Sequence, residues 1–184
     1  MTRFLTIELT HSKTNMLAQI LLNKKIHQTS KLMTDNQTLT PTPGPAYRHL
    51  DVFVGTWHTT GNMKTGVETN DILITGTDTY EWLPGGFFLL HKVNVLMGTE
   101  RKESLEIIGF DASTNTYPMH FFDNQGESGM MHASEHHGIW TFASDNLRFT
   151  GAFSEDSNTI SGIWEQNVDD NWELLMDIKL VRAR

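Results

Sequence analysis

The stretch "YPMHFFDNQGESGMMHASEHHG", residues 117–138, holds four of the chain's nine histidines: His120, His132, His136 and His137. Neighbouring imidazoles can ligate a metal or shuttle protons, so their placement along a strand decides what they can do. "DNQG" between two apolar runs suits a three-residue loop with Gly126 in the left-handed conformation. Asp123 then faces Glu127, and His120 lies opposite Met130 and diagonal to His132 on one face. A two-residue turn at Gln125 and Gly126 would instead set His120 against Met131 and send His132 to the other face. Neither register specifies a third ligand, because His136 and His137 fall in the following turn, so no metal site is predicted.

A fifth imidazole, His91, stands in "FFLLHKVNVLM", where strand alternation puts Leu89, His91, Val93, Val95 and Met97 on one face. Three carboxylates adjoin aromatic rings: Glu81 beside Trp82, Asp123 beside Phe122 and Glu165 beside Trp164. A carboxyl buried against such a ring can serve as a general acid or base. Alternation, however, sends adjacent residues to opposite faces and favours solvated carboxylates or turn caps. The candidates for acid–base chemistry are thus His91, His120, Glu81, Asp123 and Glu165. The chain has no Gly-x-Ser-x-Gly elbow, phosphate-cradling glycine loop or His-Glu-x-x-His, and "SEDSNT" lacks the ligand spacing of a calcium loop.

The elements that must position these groups are short. From Tyr47 onward, runs rich in Val, Ile, Phe, Trp and Thr alternate with Gly, Asn and Asp clusters, and no spacer is long enough for a crossover helix. That pattern predicts an all-β, antiparallel up-and-down arrangement of ten strands, near 52–60, 67–80, 86–97, 104–111, 116–123, 128–135, 138–142, 147–154, 159–168 and 171–182. Closure into a barrel would remove exposed edges. Alternation gives further inward sets: Trp172, Leu174, Met176, Ile178 and Leu180 near the C-terminus, and Ile160, Trp164 and Gln166 before them. None of these sets contains Arg or Lys.

Composition narrows the function classes. The 184 residues suit one domain with a sizeable core, and the chain has no cysteine, hence neither disulfides nor thiolate sites. No apolar run is long enough for a membrane helix. The formal net charge is −8; Arg3, Lys13, Lys24, Lys25 and Lys31 against Glu8 give residues 1–33 a charge of +4 and leave −12 for the remainder. An acidic body without a basic patch argues against nucleic acid as a partner. Residues 1–46 read as an extension, flexible or partly helical: "TDNQTLTPTPGPAY" holds neither a helix nor a central strand, and Met33 is a candidate internal start. The expected domains are therefore 1–46, the extension, and 47–184, the barrel. Missing signal features and cysteines point to the cytoplasm.

"FVGTWHTTG" resembles the opening strand of the calycin superfamily, with its Gly-x-Trp. In order, "EWLPGGFFLLHKVNV", "SLEIIGFDASTNTYPMHFFDNQG", "GIWTF", "LRFTGAFSEDSNTISGIWEQ" and "NWELLMDIKLVR" resemble a bacterial family of calycin-like domains of unknown function, over about 47–182. The resemblance implies a lipocalin-like barrel and no established activity. Nitrobindins are similar in the spacing of Gly55, Trp57 and Gly61 and hold haem through a late-strand histidine. Here no histidine follows His137, which disfavours haem unless His91 or His120 replaces it. Fatty-acid-binding proteins often hold a carboxylate with a basic residue, for which the inward sets offer no counterpart.

The first functional reading is a binding module in which a small apolar or aromatic molecule contacts Trp82, His91, His120, Phe122, Trp164 and Met176. The second is an isomerase, cyclase or hydrolase pairing a cavity histidine with a carboxylate. The third is a packed barrel acting as a protein-interaction domain, homodimerisation included. No cofactor and no membrane partner is expected.

Overall fold

The computed structural model describes residues 19, 21–25, 41–65 and 71–184. Two compact units divide the chain, Met1–Pro41 and Thr42–Arg184. Residues 19 and 21–25 of the first are helical and exposed, and most of the expected extension lies outside the described residues. The second unit opens with a helical turn, Pro45–Arg48, that runs into a 3-10 turn, His49–Phe53. Pro45 fits the first helical turn because its missing N–H would have had no partner there.

Ten strands follow: β1 (Gly55–Met63), β2 (Ile72–Trp82), β3 (Leu89–Met97), β4 (Glu100–Ile108), β5 (Tyr117–Asp123), β6 (Ser128–His136), β7 (Ile139–Ala143), β8 (Leu147–Phe153), β9 (Thr159–Val168) and β10 (Asn171–Arg182). Each pairs antiparallel with its successor, and β1 pairs with β10, so the sheet closes into a ten-stranded barrel with no free edge. Alternation drives one face of every strand inward: along β1, Trp57, Thr59 and Gly61 are buried while His58 and Thr60 are exposed.

Three local differences from the sequence reading matter for the site. β4 begins at Glu100 rather than at residue 104, because Gly98, at φ +63°, allows a tight turn that pairs Met97 with Glu100. The polar "ERKE" therefore belongs to the barrel wall. A register shift between Leu174 and Met176 places Leu174 opposite Glu165 and Trp172 opposite Asn167. Above this bulge the β10 alternation is inverted, so Trp172 and Leu174 leave the inward set, and Trp172 lies under the Arg148 guanidinium, 4.4 Å from the ring centroid. Residues 52–53, read as strand, form the end of the 3-10 turn. The β5–β6 turn takes the three-residue form, with Gly126 at φ +86° and His120 paired with Met130. Residues 67–70 of the second expected strand lie outside the described residues.

One end of the barrel is shut by the helical turns. Leu50 and Phe53 are buried in the core beside Trp57, Tyr80, Trp140 and Phe142. Each such side chain contributes about 1.5–3 kcal/mol on burial. The Trp57 indole N–H donates to the Phe53 carbonyl at 2.7 Å, and the Tyr117 hydroxyl donates to the Ala46 carbonyl at 3.0 Å. Arg182, at the end of β10, lies 4.1 Å over the Trp57 ring and donates to the carbonyls of Val54, Val52 and Ser157. Arg182→Ala is expected to lower the unfolding free energy by about 2–4 kcal/mol, from lost charge-assisted hydrogen bonds and the cation–π contact. Arg182→Lys should recover only part of this, because an ammonium lacks the planar fork that reaches several carbonyls. Urea unfolding of the two variants measures both effects.

Candidate functional site

Inside the barrel is a cavity of about 450 Å³. It extends to the end opposite the helical turns, where Met63, Met97, Gln125 and Leu147 line it. Most of its wall is apolar: Phe121 of β5, Phe142 of β7, Phe149 of β8, Trp164 of β9, and Met176 and Ile178 of β10. Phe149 meets Phe142 edge-on at 5.9 Å between centroids and lies tilted against Trp164 at 5.5 Å.

The wall built by β2, β3 and β4 is polar. Register sets Tyr80, His91 and Glu106 side by side across these strands, with Asp78, Val93 and Ser104 in the next row. The His91 ring is held from both sides: Nδ1 lies 2.6 Å from Glu106 Oε2 and Nε2 lies 2.7 Å from Asp78 Oδ1. With both carboxylates ionised, each ring nitrogen donates to one of them, which makes the ring an imidazolium. Burial opposes that charge, but the carboxylates of Glu106 and Asp78 outweigh it and raise the His91 pKa to about 10. The outer carboxylate oxygens are satisfied as well. The Thr59 hydroxyl donates to Asp78 Oδ2, and the Ser104 hydroxyl donates to Glu106 Oε1 at 3.2 Å.

Tyr80 stacks on His91 at 3.9 Å between centroids and 7° between planes. Burial, then the neighbouring charges of Asp78 and Glu106, push its phenol well above the usual range, so it stays a neutral donor. Tyr80 is 7% exposed and lines the cavity. Among the described residues its hydroxyl has no hydrogen-bond partner, and since no fully buried side-chain polar atom is left unsatisfied, that hydroxyl opens onto the cavity. With both nitrogens engaged, His91 has no lone pair to offer an iron or zinc ion. Among the described residues no cluster of three or more His, Asp or Glu is arranged to hold a metal.

A family model described as "Protein of unknown function (DUF1579)" matches residues 42–179. The chain belongs to this family. In fold, this DUF1579 barrel is similar to the crystal structure of Rv2717c from M. tuberculosis, with a TM-score of 0.58 and 12% identity over 77% of this chain and 99% of that one. None of the curated proteins matches it.

The residues singled out from the sequence divide between the inside and outside of the DUF1579 barrel. His91, Trp164 and Met176 line the cavity, and Asp123 lines its mouth while accepting the N–H groups of Gln125 and Glu127. His120 and His132 lie on the exposed outer face, as does Phe122, opposite Leu105. Trp82 sits by the helical turns, donating to Asp51 Oδ1 at 2.8 Å. Glu81 pairs with Lys92, and Glu165 with Arg148 at 2.8 Å. The carboxylates that reach His91 are Asp78 and Glu106, which the sequence reading passed over. Alternation carried the signal for both: Asp78 is in phase with Ile74 and Tyr80, and Glu106 with Ser104 and Lys102. Lys102 also lines the cavity, so the inward faces do include a lysine.

Because the folded pKa of His91 lies above the ordinary value of 6.5, its imidazolium stabilises the fold fully below about pH 6.5. That contribution is lost as pH rises through about 10. Imidazole carbon shifts in NMR should therefore show His91 still protonated at about pH 8. His91→Gln leaves two buried carboxylates without the cation between them and should cost about 3–5 kcal/mol at neutral pH, read by denaturant unfolding.

Proposed function

We propose that this DUF1579 barrel binds a small, largely apolar or aromatic molecule, which enters at the mouth and turns its polar end toward the wall of Asp78, Tyr80, His91 and Glu106. The observation that carries this reading is the cavity itself: about 450 Å³, lined mainly by apolar and aromatic side chains, with its buried polar groups gathered on one wall and further polar groups at the mouth. Ligand pockets have this size and this segregation. The calycin resemblance of the opening strand supports the same reading, as barrels of that type carry ligands inside.

Catalysis by a histidine general base draws less support. His91 is held as an imidazolium between two carboxylates, and the other candidate, His120, lies on the outer face together with His132. A barrel packed solid is at odds with the cavity.

Trp164 reports on occupancy, since it lines the cavity while Trp82 and Trp172 do not. Titration with a library of small apolar and aromatic compounds should quench tryptophan fluorescence and raise the melting temperature for a subset of compounds, and Trp164→Phe should remove most of the quench. Val93→Trp, which fills the cavity from β3, should weaken binding by about tenfold or more while leaving the circular dichroism spectrum unchanged. A library that neither quenches the unmodified protein nor shifts its melting would overturn the reading.

A further inference from the structure

The charges around the cavity narrow the class of molecule it takes. Five carboxylates line it, Asp78 and Glu106 in the wall and Glu103, Asp123 and Glu127 toward the mouth, against two cations, His91 and Lys102, for a net of −3. Lys102 is drawn to Glu100, 3.1 Å away at the rim. His91 is shared between Asp78 and Glu106, so this buried wall keeps one negative charge without a partner inside the cavity. An excess charge of that kind is costly in a low-dielectric setting until a positive group arrives.

The wall also has hydrogen-bonding capacity to spare. Each oxygen of Asp78 and Glu106 accepts one bond from the protein, from His91 or from the hydroxyls of Thr59 and Ser104. A carboxylate oxygen has two acceptor sites, which leaves one on each. Beside them the Tyr80 hydroxyl, on a side chain more than nine-tenths buried, opens onto the cavity without a partner among the described residues. Phe121, the cross-strand neighbour of Glu106, and Phe149 and Trp164 on the far strands contribute aromatic surface suited to an organic cation. A carboxylate ligand would add another negative charge to a site already rich in them.

We propose that the occupant of the barrel is an organic cation: a primary or secondary amine on an apolar or aromatic body, its ammonium hydrogen-bonded to Asp78, Glu106 and the Tyr80 hydroxyl. The assignment rests on the reading above that the cavity receives an apolar body, and it adds the sign and chemistry of the polar end.

Three probes with the same ring system separate the two ideas: 1-naphthylmethylamine, 1-naphthylmethanol and 1-naphthylacetic acid, titrated calorimetrically into the full chain at neutral pH. The amine should bind about tenfold or more tightly than the alcohol, the scale of one charge-assisted hydrogen bond, and the acid should bind most weakly. Glu106→Gln should bring the amine's affinity down to within about threefold of the alcohol's while sparing the alcohol. An amine no tighter than the alcohol, or an acid that binds best, overturns the cation assignment and leaves the apolar cavity standing. Failure of all three to bind the folded protein overturns both. The ranking on the unmodified chain decides the matter even where Glu106→Gln does not fold.

Discussion

Arg182 ties together the parts of the domain that are farthest apart in sequence. Its guanidinium, at the end of the last strand, stacks on the indole of the first strand and donates to the carbonyls of Val52 and Val54 at the end of the 3-10 turn and of Ser157 between β8 and β9. Those turns carry Leu50 and Phe53 into the core, where they close one end of the barrel. A half-buried cation on an aromatic face, with backbone oxygens accepting from both terminal nitrogens of its guanidinium, offsets much of its desolvation. With that end sealed, the remaining interior opens at the other, and the polar wall sits between the plug and the mouth.

The wall is an instance of charge held in place by register. Tyr80, His91 and Glu106 are direct cross-strand neighbours, and Asp78 is two residues along β2 from Tyr80. A slip of one residue between β3 and β4 would turn Glu106 outward and leave His91 facing the side chain of no carboxylate on β4. Buried ion clusters of this kind rarely add much to stability over an apolar alternative, since desolvation consumes most of the attraction. Their retention in a cavity wall is easier to understand as preparation for a ligand than as a device for holding the barrel together.

Strand identity, order and most inward faces were legible in the sequence because they depend on alternation and turn residues, both local. His91, Trp164 and Met176 were found that way. The rest of the site was hidden for physical reasons that can be named. Asp78 and Glu106 look like solvated charges on half-polar strands, and only the pairing across three strands shows that one imidazole satisfies both. The tight turn at Gly98 lengthened β4 backwards from residue 104 and brought Lys102 into the wall, a shift that the apolar pattern alone does not reveal. The bulge after Leu174 inverted the alternation of β10, so Trp172, inward by simple counting, packs outside against Arg148. His120 and Phe122 were drawn to the site by their chemistry, while their register, opposite Met130 and Leu105, assigns them to the outer face.

The strand order also bears on how the chain reaches this state. Nine of the ten seams join consecutive strands, so they form from contacts close in sequence and at low entropic cost. The tenth, β1 against β10, joins the two ends of the domain and must wait for a long loop to close. Until it does, the chain can exist as a curled open sheet with two bare edges, each a template for pairing with another molecule. The contacts that Arg182 makes across this seam convert that transient, aggregation-exposed sheet into a sealed barrel, so the last strand governs the chain's safety during folding as much as its final stability.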